Sequence, residues 1–172
     1  MARPTSHGHL GYNIRPAAES DCQAIADIYN EGIADRNATF DEHSVTAERY
    51  FWYLHDERSG LLCAAIESEV IGWGSVEPRS ERYAYRFTGQ IGLYIKRPYR
   101  GRGVGTALSR RLDDLAITLG YHSLISENLS NNPPSLGVDI KNGYHVVGEI
   151  QEAGFRDDTW IGLIIMQKIL SR

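Results

Sequence analysis

"RPYRGRGVGTALSRRL", residues 97–112, passes from a charged turn through three alternating glycines into a helical pattern. Before it, "TGQIGLYIK" (88–96) reads as a strand. After it, Val104, Leu108, Leu112, Leu115 and Leu119 recur at helical spacing until Gly120 closes the run. Where a glycine-rich turn opens a helix, the missing side chains let backbone N–H groups approach a diphosphate. The dinucleotide fingerprint G-x-G-x-x-G fails because Thr106 stands at its last position, and no Gly-Lys-Ser/Thr is present for a P-loop. What remains is R-x-x-G-x-G. Arg100, Gly101, Arg102, Gly103, Val104, Gly105 and Thr106 are therefore the candidate contacts to an anionic ligand.

Outward from this junction the chain alternates strands and helices. A short strand at Tyr12–Arg15 precedes a helix, "AIADIYNEGI", for which Ser20 and Gln23 form a capping box. Thr46–Leu54 predicts a second, aromatic-rich helix, and "LLCAAIES" with "VIGWGSVE" predicts a hairpin turning at Ser68 and Glu69. Past the glycine helix, "YHSLISE" is a strand, and Asn132 followed by two prolines starts a helix ending at Gly143. "YHVVGEI" and "TWIGLIIMQKI" finish the chain as strands. The order β-α-α-β-β-β-α-β-α-β-β is that of an α/β protein with a mixed sheet of seven strands and four helices. Residues 12–172 are expected to form one domain, with residues 1–11 set aside as a flexible N-terminus.

Composition narrows the functional classes. A net charge of −4 gives no support for nucleic acid or anionic membrane as a partner, yet Lys96, Arg97, Arg100, Arg102, Arg110 and Arg111 gather six of the 18 basic residues around the glycines. Cys22 and Cys63 are too few for a disulfide framework or a metal site and read as core thiols in a reducing compartment. No run reaches the roughly 18 apolar residues of a membrane span, and the start has no secretion signal, so the cytoplasm is expected.

The segment "IGLYIKRPYRGRGVGTAL" resembles the pyrophosphate-binding region of the GNAT (Gcn5-related N-acetyltransferase) superfamily, and "NPPSLGVDIKNGY" is similar to its later motif through Asn132, Ser135, Gly143 and Tyr144. The element order is also that family's, so the resemblance extends from about residue 12 to the end. It implies a mixed, mostly antiparallel seven-stranded sheet and acetyl-CoA as co-substrate, with Asn132 and Ser135 added to the cofactor contacts. Within the superfamily, "IRPAAESDCQAIADIYNEGI", "ATFDE", "RYAYRFT" and "EAGFRDDTWIGLIIMQ" are most similar to phosphinothricin and methionine sulfoximine acetyltransferases. That resemblance implies a homodimer and a small amino-acid-like acceptor, bordered by the first helix (Asn30), Phe40, Arg82 and Tyr85. Arg82 would grip its acid group bidentately. Alternatives are another amine acceptor, such as a polyamine, an aminoglycoside or a protein N-terminus, and a non-catalytic acyl-CoA-binding module.

Whatever the family, acetylating an ammonium requires a base or water relay, an oxyanion donor and an acid for the thiolate. Backbone N–H groups at Leu93, Tyr94 and Ile95 would supply the donor. The resemblance implies a carboxylate base two residues after the threonine of R-x-A-Y-x-x-T, but this chain has Gln90, which has no usable basicity. Where the family has a His or Tyr as acid, this chain has Asp139. Asp139 and Glu127 are the substitute candidates for the base.

Overall fold

Strands buried on both faces read as continuous apolar runs, whereas half-exposed ones alternate. Gly60–Ile66 (β2) is of the first kind, with Leu61, Leu62, Cys63, Ala64 and Ala65 all buried. The computed structural model describes residues 11–170, so all of the N-terminal segment set aside above except Gly11 lies outside the described residues. The other strands are Asn13–Pro16 (β1), Glu69–Pro78 (β3), Thr88–Ile95 (β4), Ser123–Leu129 (β5), His145–Arg156 (β6) and Thr159–Ile169 (β7). The helices are Cys22–Asp35 (α1), Glu48–Phe51 (α2), Val104–Thr118 (α3) and Pro133–Lys141 (α4). One seven-stranded sheet runs β1-β2-β3-β4-β5-β7-β6, antiparallel throughout except between β4 and β5.

Side chains alternate across that sheet and meet different helices. Cys63 and Trp73 join Cys22, Ile25 and Tyr29 of α1 and Tyr50 of α2 on one face. On the other, Leu62 and Ile71 join Val104, Leu108 and Leu112 of α3, each buried leucine contributing about 1.5–3 kcal/mol. A third cluster, with Leu124, Met166 and Tyr144, closes the β5–β7 end. Both cysteines are free and fully buried, and burial pushes the Cys63 thiol up to about 12.

Three sequence readings are corrected. Ser20 lies inside a 3-10 turn, Glu19–Asp21, that leads into α1, and the side-chain cap is made one turn earlier by Asp21, whose Oδ2 accepts from Ala18 N at 2.8 Å at the start of that turn. Gln23 instead donates to Asp27, 2.9 Å away. Asp21 prevails over Ser20 because Arg15 holds its carboxylate in two hydrogen bonds of 2.6 and 2.9 Å. The expected Thr46–Leu54 helix is one turn, Glu48–Phe51, that tightens into a 3-10 turn at Trp52–Leu54, in keeping with the modest helix propensity of consecutive aromatics. β6, which carries one register shift at Val146/Gly148, continues past Ile150 to Arg156 through a second at Ile150/Gly154, and a two-residue turn with both Asp157 and Asp158 at positive φ joins it to β7.

The Arg15 hydrogen bonds hold the Asp21 carboxyl below its ordinary value despite its burial. Asp21→Asn is therefore expected to lower stability at pH 7 by about 1–3 kcal/mol, the scale of a charge-assisted hydrogen bond. A depressed carboxylate stabilises above its unfolded pKa and loses that contribution as pH falls through its folded value. Urea denaturation at pH 7 and pH 3 should thus show the difference between variant and wild type shrinking in acid.

Candidate active site

β4 and β5 pair for only three residues, Thr88–Gln90 against Ser123–Ile125, and then part. The wedge left between them receives two adjoining cavities of about 490 and 360 Å³, which share Ala38, Leu93, Tyr94, Asn132 and Ser135. The larger is lined by the end of β4, the glycine turn and one side of α4. The smaller lies over Trp73, Ser75 and Glu77 of β3 and Gln90, Gly92 and Tyr94 of β4, walled by Tyr29, Tyr50 and Tyr53.

The larger cavity gathers ten of the sequence's cofactor candidates: Leu93, Tyr94, Ile95, Arg100, Gly101, Gly103, Gly105, Thr106, Asn132 and Ser135. Arg102 and Val104 do not line it. Val104 is turned into the core beside Leu108, and Arg102 is exposed. Gly101 and Gly103 have φ of 71° and 85°, and a Cβ on either would point into open space. Gly103 caps α3, whose first intrahelical acceptor is its own carbonyl, taking the Ala107 N–H at 3.1 Å. The amides ahead of Ala107 thus have no intrahelical partner. The basic cluster is largely paired: Lys96 with Glu69, Arg97 with Asp35, and Arg100 with Asp35 and Glu31. Arg100 also donates to Ile95 O at 2.8 Å, which fixes the turn to the end of β4. Asn132 caps α4 by accepting from Ser135 N at 3.4 Å.

The parting of the strands exposes backbone donors. Lys96 N donates to Ile71 O of β3, so strand alternation turns the N–H groups of Leu93 and Ile95 the other way, toward the wedge. Tyr94, the third anticipated donor, faces β3.

The proton-transfer candidates divide. Gln90 accepts a hydrogen bond from Arg79, whose guanidinium also pairs with Glu127 at 2.8 Å. Asp139, 3 % exposed, lies on α4 and accepts from Ser126 at 2.6 Å and Asn128 at 2.7 Å. Burial pushes its carboxyl up against those hydrogen bonds, and the charge of Asp113 adds to the rise. All three line the smaller cavity.

Of the acceptor candidates, Phe40 lines the smaller cavity, with the Arg156 guanidinium 5.6 Å from its ring centre. Asn30 does not. Its amide is spent on Val45, accepting from the backbone N–H and donating to the carbonyl, which straps the segment before α2 to α1. Arg82 and Tyr85 flank and occupy an exposed 3-10 turn, Tyr83–Tyr85, outside the cavity lining.

Sequence reasoning missed the cavity's charged and aromatic wall. Asp41 accepts from Tyr29 at 2.8 Å and Arg49 at 2.7 Å. Burial would raise its carboxyl, but these partners outweigh it and hold it below the usual range. Glu77 accepts from Tyr53 at 2.8 Å, and burial pushes its carboxyl up against that hydrogen bond and the charge of Arg49. Tyr50 Oη and Trp73 Nε1 are buried without a hydrogen-bond partner among the described residues. The alternation Trp73, Ser75, Glu77 in "GWGSVEP" was the available signal, but the register that sets it opposite Gln90 was not.

This arrangement has counterparts in known proteins. The sequence model of the acetyltransferase (GNAT) family matches residues 24–144. The chain belongs to the GNAT family. It is an acetyl-CoA-dependent N-acetyltransferase, as the resemblance of its glycine turn implied. The L-methionine sulfoximine/L-methionine sulfone acetyltransferase of Pseudomonas aeruginosa is 28% identical over 162 residues, 92% of this chain and 94% of that one. The L-amino acid N-acyltransferase MnaT of Escherichia coli is 28% identical over 158 residues, 90% and 92% of the two chains. Among solved structures, a phosphinothricin acetyltransferase from Sinorhizobium meliloti in complex with acetyl-CoA superposes with a TM-score of 0.88 at 25% identity, covering 94% of this chain and 90% of that one. The GNAT sheet and its mostly antiparallel order are thus as expected from the sequence.

Proposed function

We propose that this acetyltransferase modifies the primary amine of a small amino-acid-like acceptor, of the sulfoximine, sulfone or phosphinothricin kind recorded in its relatives' names. The observation that carries this reading is the 360 Å³ cavity, which adjoins the glycine-turn cavity at Leu93 and Tyr94 and contains two unpaired donors, Tyr50 Oη and Trp73 Nε1. Buried donors without partners are costly, and an acid or oxo group on the acceptor would satisfy them. The residues around the larger cavity fit acetyl-CoA. The free amides from Gly103 to Thr106 would hold its diphosphate, and Leu93 and Ile95 N–H would face the thioester oxygen. When bound, the donor supplies an activated acetyl group.

The test is free-thiol release from acetyl-CoA with a panel of amino acids, methionine sulfoximine and sulfone, phosphinothricin and polyamines. Turnover confined to the polyamines would overturn the acceptor reading, and tight acetyl-CoA binding without thiol release on any amine would point to the binding-module alternative. Trp73→Phe, which removes one donor, is expected to raise KM for the acidic acceptor about 10-fold while sparing acetyl-CoA affinity. Arg82→Ala should change that KM by less than about 3-fold, since Arg82 stands outside the lining. A larger effect would return the anchoring role to Arg82.

Two finer points belong to the same reading. Residues 12–172 act as one catalytic domain in the cytoplasm, where free thiols such as Cys22 and Cys63 stay reduced. The enzyme works as a homodimer, a view supported by the edge position of β6 and the exposed Val146, Val147, Ile150, Phe155 and Trp160 on β6 and β7. Sedimentation of a monomer at micromolar concentration would overturn the dimer.

A further inference from the structure

Gln90 and Glu77 sit directly opposite each other on antiparallel strands, with their side chains on one face of the sheet and both in the acceptor cavity. Opposed residues of this kind have Cβ atoms about 4.5–5.5 Å apart, close enough for a carboxylate on either to serve nearly the same volume. We propose that Glu77 is the general base of this enzyme, the function at position 90 having moved one strand across to β3. This rests on acetyl transfer to an amine in that cavity.

The neighbouring groups favour Glu77 over every other carboxylate there. Glu127 is held by Arg79, and Asp41 by Arg49 and Tyr29. Asp139 reaches the cavity from α4 and is engaged by Ser126 and Asn128, side chains of the opposite sheet face. Among the described residues Glu77 has no ion pair. It accepts a hydrogen bond from Tyr53, whose hydroxyl burial keeps protonated. Arg49 acts on it only at a distance, and burial keeps its proton affinity above that of an ordinary glutamate. Next along β4, Gly92 leaves the floor open, because a Cβ there would stand 3.0 Å from Ser75 Oγ. An acceptor nitrogen above Gly92 would have Glu77 on one side and the Leu93 amide ahead, within direct or one-water reach.

The proton balance is simple. Glu77 takes one proton from the ammonium, the freed lone pair forms the C–N bond as the thioester C–S bond breaks, and the sulfur leaves as a thiolate that acquires one proton. Glu77 returns its proton to solvent after transfer.

Glu77→Gln preserves an acceptor for Tyr53 and removes the basicity. With acetyl-CoA affinity unchanged in a calorimetric titration, its kcat should fall about 100-fold at pH 7, and the acidic limb of the wild-type pH profile should vanish. Adding Gln90→Glu to Glu77→Gln should recover at least 10-fold of that loss, whereas Gln90→Glu alone should add little. Glu77→Asp, which keeps a carboxylate farther back, should retain the limb at a reduced rate, and it stands in should Glu77→Gln fold poorly. A readout independent of turnover is the ¹³C titration of glutamate carboxyls in the protein without substrates. The resonance lost in Glu77→Gln should titrate above the ordinary value of about 4.3. Activity and an acidic limb that survive Glu77→Gln, or a Glu77 carboxyl titrating at or below the ordinary value, would overturn the proposal. No wild-type turnover on any amine would overturn the acceptor reading and this one with it, whereas turnover that survives Glu77→Gln overturns this one alone.

Discussion

Replacing Gly103 with valine is expected to weaken acetyl-CoA binding by about 100-fold or more, because the new side chain would stand where the backbone amides meet the diphosphate. The residue has φ of 85°, and no atom lies within 4 Å of where its Cβ would be. The protein therefore has room for the side chain, while the ligand does not. Left-handed backbone still strains a β-branched residue by about 1–3 kcal/mol, so the fold should persist with a lower melting temperature. Gly103→Asn separates the two effects, since asparagine tolerates this conformation better yet still projects a Cβ. Calorimetric titration of both variants with acetyl-CoA checks the prediction, and wild-type affinity in Gly103→Val would refute it.

The second large effect is expected far from the acceptor. Lys168 of β7 donates to Asp113 of α3 at 2.5 Å and to the carbonyl of Asn142, at the end of α4, at 2.6 Å. Asp113 is only 8 % exposed, and Tyr144 adds a hydrogen bond at 3.4 Å. Lys168→Met removes the cation and leaves a buried carboxylate without its counter-charge, which should cost about 3 kcal/mol. For a chain of this length that corresponds to a melting temperature roughly 6–12 °C lower. Burial already raises the Asp113 carboxyl above its ordinary value even with Lys168 present. A raised carboxyl favours the fold while protonated and loses that advantage as pH climbs through its folded value. The deficit of Lys168→Met should therefore narrow in acid and be largest at neutral pH, as scanning calorimetry at pH 4.5 and 7.5 would show. Adding Asp113→Leu should recover most of it.

Much of the fold was legible because its signals are local. The helical period from Val104 to Leu119, the proline-marked start of α4 and the apolar run of β7 each specify an element without reference to the rest of the chain. The ends that slipped did so where a tertiary partner decides. The side-chain cap ahead of α1 passed from Ser20 to Asp21, at the start of the 3-10 turn, because Arg15 of β1 clamps the carboxylate. β6 was cut short at Ile150 because its register shifts interrupt the alternation that a sequence reading relies on.

The two cavities differ in the same way. The cofactor side is one contiguous segment plus the start of one helix, so its residues could be named from their order. The acceptor side is assembled from parts scattered along the chain: α1, the segment before α2, α2 itself, β3, β4, β5, α4 and β7. A nine-residue connection, Arg79 to Phe87, hides which residue of β3 faces Gln90. The cation that holds Gln90 and Glu127, Arg79, lies in that connection and carries no pattern of its own.

The brief pairing of β4 with β5 also bears on how the molecule breathes. Over the remaining length of both strands, no ladder of hydrogen bonds joins the sheet's two halves, β1–β4 and β5–β7. In hydrogen exchange the two halves should behave as separate cooperative units, with the unladdered amides Leu93 and Ile95 the fastest in β4. A ligand filling the gap would act as a surrogate strand. Acetyl-CoA should then slow exchange on both sides of the seam together, and merge two opening events into one.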